Sequence, residues 1–188
     1  DFKASSTFVT QGFIAGTRTN QTTTLGREGS DYTAALLANL LNAEDVTIWK
    51  DVPGVMNADP KEYDKAQVIS RMSYKEAIEL SHFGAKVIHP KTIKPIQNKQ
   101  IPLYVRSFLH PESTGTVIQE IDEHLKLPPI YINKANQCLL TLTPRDFSFI
   151  AEEKLSHIFA ILAQYKLKLN LMQNSAISFS FCIDCNSA

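Results

Sequence analysis

The sequence predicts an α/β protein: a mainly parallel sheet covered by helices on both faces, followed by a smaller β-α-β-β unit. Two observations lead there. Strand-like and helix-like stretches alternate from Phe8 to Val105, the pattern of β-α-β units. After Ile130 the order changes to strands, one helix and two further strands. With 188 residues the chain has room for one sizeable domain or two small ones, and the division expected is 1–120 and 121–188.

Phe8-Val9-Thr10 and Phe13-Ile14 read as a strand entering the polar segment Thr22–Asp31. A helix is expected from Asp31 to about Asn42, because Ala34, Ala35, Leu37 and Leu41 recur at roughly helical spacing and Ser30 suits an N-cap. Val46–Trp49 reads as a short buried strand, with Trp49 in the core. Ser73 and Glu76 form a capping box for a helix through about Ser81, with Gly84 ending it. A short helix over Thr92–Gln97 and a strand over Leu103–Val105 follow. Residues 109–130, with prolines and several charges, read as an interdomain connection. Beyond it, strands are expected at Tyr131-Ile132, Leu139–Leu142, Lys168–Met172 and Ile177–Asp184, with a helix from Glu152 to Tyr165. That helix carries Leu155, Ile158, Phe159, Leu162 and Tyr165 on one face.

Composition narrows the function. Nineteen basic and nineteen acidic residues leave no net charge, so nothing electrostatic favours nucleic acid or an anionic membrane. No apolar run approaches a membrane span, and no secretory leader pattern opens the chain. The odd set of three cysteines fits structural thiols in a reducing cytoplasm, since Cys182 and Cys185 point to opposite faces of one strand. His82 and His89 lack a third ligand at sensible spacing, so no protein-held metal is expected.

The segment Thr-Thr-Thr-Leu-Gly-Arg-Glu-Gly-Ser-Asp, Thr22–Asp31, carries the chemistry. It is a polar loop feeding a helix N-terminus, where unpaired N–H groups and the dipole favour an anion. Arg27 adds a planar fork for a carboxylate or phosphate. On loop chemistry alone, an ordinary capped surface helix is an equal reading.

A resemblance separates the two readings. Gln11-Gly12-Phe13-Ile14, Thr22–Asp31, Trp49-Lys50-Asp51-Val52-Pro53-Gly54-Val55 and Phe83-Gly84-Ala85-Lys86-Val87-Ile88-His89-Pro90 stand in the order seen in aspartokinases of the amino-acid kinase superfamily. The chain resembles the C-terminal, nucleotide-binding part of that three-layer α/β/α kinase domain, followed by an incomplete, ferredoxin-like ACT regulatory module. The resemblance implies transfer of the ATP γ-phosphoryl group to the side-chain carboxylate of L-aspartate, giving 4-phospho-L-aspartate for lysine, threonine and methionine biosynthesis. It implies Mg²⁺ held mainly by nucleotide phosphates, and a homo-oligomer through the ACT region. An N-terminal lobe with a phosphate-binding lysine is expected to be missing, leaving the 188 residues inactive alone.

By the same resemblance Phe13, Arg27, Glu28, Gly29 and Ser30 line the amino-acid pocket, with Arg27 on the α-carboxylate and Ser30 donating a hydroxyl. Asp31 orients the phosphate-binding lysine, and Asp31 and Arg27 are the catalytic assignments. Lys50, Asp51, Met56, Lys61, Lys86 and Val87 fall on the nucleotide side. Three positions depart from the family pattern. Glu28 replaces a small residue, and its acid must turn away from an anionic substrate. Lys50 replaces a hydroxyl residue, and Met56 an aromatic one. In the ACT-like part Lys154 takes a glycine position and Asn170 an acidic one, so lysine or threonine binding is not expected there. Two other readings remain: a kinase for glutamate, acetylglutamate or carbamate, and a non-catalytic ACT-type binding or dimerising module.

Overall fold

The structure is a computed structural model and describes residues 7–85, 87–122, 125–146 and 148–185. The chain forms two compact units, Asp1–Asn133 and Lys134–Ala188.

In the first unit β1 (Ile14–Gly16) and β2 (Thr22–Thr24) make an antiparallel hairpin. Thr22–Thr24 is therefore strand, where the sequence reads as loop, and Phe8–Thr10 has no regular structure. The helix α1 (Gly29–Leu41) follows, then β3 (Val46–Lys50), β4 (Arg71–Ser73), α2 (Tyr74–Phe83), α3 (Pro90–Gln97), β5 (Leu103–Ser107) and β6 (Thr116–Gln119). The sheet runs β3-β5-β6-β4, with β3–β5 and β4–β6 parallel and β5–β6 antiparallel.

β6 lies inside the stretch expected to be a connection. Thr116 and Ile118 are fully buried, and the strand closes the sheet between β5 and β4. Its sequence is too short to carry a periodic signal, so pairing on both sides decides its conformation. Tyr131-Ile132 shows the reverse error. No strand forms there; the Tyr131 N–H donates to the Asn57 carbonyl at 2.8 Å and its ring stacks on Tyr63. Leu127 and Ile130 pack on the first core, which is why the compact units divide at 133/134 and not near residue 120.

All three helices of this unit contribute to one core: Ala35 and Ala38 from α1, Ala77 from α2, and Ile93 and Ile96 from α3 meet Val46, Ile48, Met72, Leu103, Val105 and Ile118 of the sheet. The strands alternate accordingly, with Trp49, Tyr104 and Val117 on the other face. The described residues thus cover one face where covering of both was expected. Trp49, expected in the core, is 48% exposed. Local signals are accurate at α2: Ser73 Oγ accepts from the Glu76 N–H at 3.2 Å, and Glu76 Oε2 accepts from the Ser73 N–H at 2.7 Å.

The second unit is β7 (Gln137–Leu142), α4 (Glu152–Gln164), β8 (Leu169–Asn174) and β9 (Phe179–Asp184), an antiparallel sheet in the order β7-β9-β8. This is the expected β-α-β-β arrangement. Leu162, Phe179 and Phe181 are buried between α4 and the sheet, with Leu155, Ile158 and Ile183 around them. Tyr165, placed on the apolar helix face by spacing, lies just past the helix end and is exposed.

Candidate functional site

Two left-handed residues meet at the start of α1: Glu28 (φ 54°) in the turn before it, and Phe13 (φ 74°), which precedes β1 and packs against that turn. Such backbone is uncommon for bulky side chains and persists only where surroundings enforce it. Phe13 is enforced three ways. Its N–H donates to Thr33 Oγ1 at 3.0 Å, its carbonyl accepts from the Leu25 N–H at 2.8 Å, and its ring lies against Gly29. A Cβ on Gly29 would fall 2.8 Å from the Phe13 ring and 3.0 Å from Leu25, so this position has no room for a side chain. Phe13 and Gly29 are thereby brought together.

Helix α1 begins at Gly29, with Glu28 at the N-cap and no capping hydrogen bond from its side chain. Ser30, expected as the cap, instead stands exposed in the first turn. The tight turn closed by the Gly29 N–H to the Gly26 carbonyl starts the helix early and makes a side-chain cap unnecessary. Arg27 is exposed on the same turn. One carboxylate oxygen of Glu28 is shielded from solvent and has no hydrogen-bond partner among the described residues, so this acid turns inward.

Asp31 is buried in the first turn of α1. It meets Lys50 at the carboxyl end of β3: Nζ donates to Asp31 Oδ2 at 2.6 Å. Sequence reasoning placed both residues in the site but not this contact, which joins positions nineteen apart. Asp51 follows, exposed, beyond the strand end. Met56 is half-buried and pairs by an isolated bridge with Val68. Lys61 is exposed, with its backbone N–H on Asp59 Oδ1 at 2.9 Å. Val87 packs on the core beside Val55, Met72 and Ile118. Lys86 lies outside the described residues.

Two hydroxyls that the sequence did not mark position this site. Thr33 Oγ1 donates to the Gly29 carbonyl at 2.9 Å while accepting from Phe13, tying the turn to the helix. Its helical back-bond is a recognisable habit of threonine, but the distant Phe13 amide is not legible locally. Thr116 Oγ1 donates to the Ile69 carbonyl at 2.7 Å and accepts from the Val55 N–H at 2.8 Å, fixing the loop that follows Asp51.

Residues 2–107 match the model of the amino acid kinase family. The chain belongs to the amino acid kinase family. Within it, the chain is 40% identical over 180 residues to lysine-sensitive aspartokinase 3 of Escherichia coli (strain K12), covering 94% of this chain and 39% of that one. It is 46% identical over 114 residues to the chloroplastic bifunctional aspartokinase/homoserine dehydrogenase 1 of Zea mays, covering 61% of this chain and 12% of that one. Among solved structures, E. coli aspartokinase III in complex with aspartate and ADP superposes with a TM-score of 0.73 at 39% identity, over 94% of this chain and 39% of that one. The aspartate kinase of Clostridium acetobutylicum gives 0.80 at 28% identity, over 93% and 41%. The chain therefore spans about two fifths of the length of the Escherichia coli and Clostridium aspartokinases.

Proposed function

We propose that this chain is the nucleotide-side part of an aspartate kinase, in which the ATP γ-phosphoryl group passes to the side-chain carboxylate of L-aspartate. The observation that carries the reading is the meeting of α1's N-terminus, with exposed Arg27 and Ser30, and the carboxyl end of β3, with Lys50 and Asp51. Ligands of parallel β-α units sit at that end of the sheet. Phosphoryl transfer depends on positioning and on neutralising charge more than on covalent chemistry. Arg27 suits an α-carboxylate through two parallel hydrogen bonds, and Ser30 supplies a neighbouring donor. Lys50 and Lys61, and Lys86 in the adjoining block, supply cations for phosphates. Mg²⁺ would be carried on the phosphates, spreading their charge. The relatives named as aspartokinases, one of them crystallised with aspartate and ADP, support this reading over the glutamate and carbamate alternatives.

The same reading includes self-association through the second unit. Leu139 and Leu171 lie on the sheet face opposite α4, since Leu140 and Leu142 pair with the buried Phe181 and Phe179. These two leucines are 68% and 60% exposed, and β7 and β8 are both edge strands among the described residues. Apolar faces and open edges of this kind recruit a second chain.

Isothermal titration with ADP tests the nucleotide site. The chain should bind ADP in preference to free L-aspartate, and Lys61→Ala should weaken binding roughly tenfold, as for one charge-assisted bond. Absence of any ADP binding would remove the reading.

A further inference from the structure

The loop that carries Met56 and Lys61 is held at its base by Asn57, each of whose four polar atoms is engaged. Its N–H donates to the Gln67 carbonyl at 2.9 Å, and its Oδ1 accepts from the Gln67 N–H at 2.7 Å. These two bonds close the loop on itself. The other two reach a strap, residues 127–133, at the end of the first unit. Asn57 Nδ2 donates to the Pro129 carbonyl at 3.0 Å, and the Asn57 carbonyl accepts from the Tyr131 N–H at 2.8 Å. Further along the loop, Asn133 Nδ2 donates to Glu62 Oε2 at 3.0 Å and the Tyr131 ring stacks on Tyr63. The strap is itself anchored, because Leu127 and Ile130 pack on the first core. Ile132 lies beside Gly84, where an added Cβ would come 3.5 Å from its Cγ2. Gly84 closes α2 just before Ala85, Lys86 and Val87. The strap thus touches both segments to which nucleotide-side residues are assigned.

Resting on the nucleotide-site reading, we propose that Asn57 is a positioning residue for nucleotide binding, fastening the loop 56–67 to the strap 127–133. Residues 59–65 are all exposed, with short turns from Asp59 and Tyr63 among them. Such a loop gives up conformational freedom when it closes on a ligand. One already tied at its base and along one arm gives up less, so more of the contact energy appears as affinity. One amide serves both ties, because it offers an acceptor to Gln67 and a donor to Pro129. Linkage makes the relation reciprocal. If the fastened loop binds nucleotide better, bound nucleotide holds the loop on the strap.

The test combines ADP titration with amide hydrogen exchange on the 188-residue chain, Asn57→Asp and Asn57→Ala, under conditions where urea melts show each folded. Asn57→Asp keeps the acceptor that closes the loop and loses the donor to the strap. It should weaken ADP about threefold to tenfold, the range for one neutral hydrogen bond. Asn57→Ala, which also opens the loop base, should lose at least as much. In the parent, saturating ADP should slow exchange at the Tyr131 N–H several-fold, a response that a role in loop folding alone would not produce. Parental ADP affinity in Asn57→Asp would confine Asn57 to closing its own loop and overturn the proposal. Exchange at Tyr131 indifferent to ADP overturns it as well, and needs no variant. If the parent binds no ADP, the nucleotide-site reading fails and takes this inference with it. A parent that binds ADP while either result is indifferent defeats the inference alone.

Discussion

The two units use similar local patterns and reach different degrees of closure. In the first, helices from three parts of the chain bury Met72, Tyr74, Ile93, Ile96, Leu103, Val105 and Ile118 almost completely. In the second, one helix lies on three strands, and among the described residues only Leu162, Phe179 and Phe181 form the buried cluster. Leu140, Leu142 and Met172 stay open beside α4, and Leu139 and Leu171 on the opposite face. A small unit buries a smaller share of its surface, so the second depends more on further contacts. The proposed nucleotide site lies in the closed unit, where Phe13 and Glu28 are held in unfavourable backbone, and the proposed association surface lies on the open one.

The largest expected effect strikes the closed core. Ile93→Ala should cost about 2–5 kcal/mol, the range for truncating a buried isoleucine. Urea melts followed by the single tryptophan, Trp49, report on this unit. A loss below about 1 kcal/mol would show that the contrast in packing is not a contrast in stability. Gly115→Ala should also be severe, since φ is +69° and the added Cβ would meet the Val105 carbonyl oxygen.

Next comes alkaline pH. Tyr74 is enclosed and donates to the Ile101 carbonyl at 2.7 Å. Burial, with Glu120 adding repulsion, pushes its hydroxyl up to about 12. The folded state then binds the proton more tightly than the unfolded chain. The stabilisation is complete below pH 10 and lost as pH rises through about 12, a swing on the order of 3 kcal/mol. Denaturation midpoints across that window should fall in the parent and fall less in Tyr74→Phe.

A smaller effect is expected on the open face. Leu171→Lys should reduce self-association by about 1–3 kcal/mol, the transfer free energy of one leucine, with stability of the first unit unchanged. Sedimentation equilibrium at tens of micromolar protein decides it, and a monomeric parent would end the proposal.

The smallest effect concerns Asp184. The Gln137 amide, the Lys134 ammonium and the Asn170 amide hold its carboxyl down at about 2. Its contribution is present above the ordinary carboxylate value and is lost only as pH falls through about 2. Carboxyl NMR titration should show Gln137→Ala raising that midpoint toward the ordinary value, with little change in melting. An unshifted midpoint in the variant would exclude the network as the cause.

By itself the sequence determined what acts within a few residues. The Ser73–Glu76 capping box, Gly84 at the end of α2 and the apolar face of α4 are short-range devices, and each appears where its spacing puts it, Tyr165 past the end of α4 excepted. The ordered blocks around Phe13, Thr22–Asp31, Lys50 and Lys86 were likewise enough to indicate the family. Tertiary structure alone decided the rest. β6 exists because β5 and β4 pair with it on either side. Ser30 is freed from capping because Phe13, Gly29 and Leu25 pack the turn closed one residue earlier. Asp31 finds Lys50 because β3 ends beside the first turn of α1. Local signals arise from backbone groups that neighbouring side chains can reach. A strand's partners, or a buried ion pair, are fixed only when distant segments meet, and no spacing along the chain encodes that meeting.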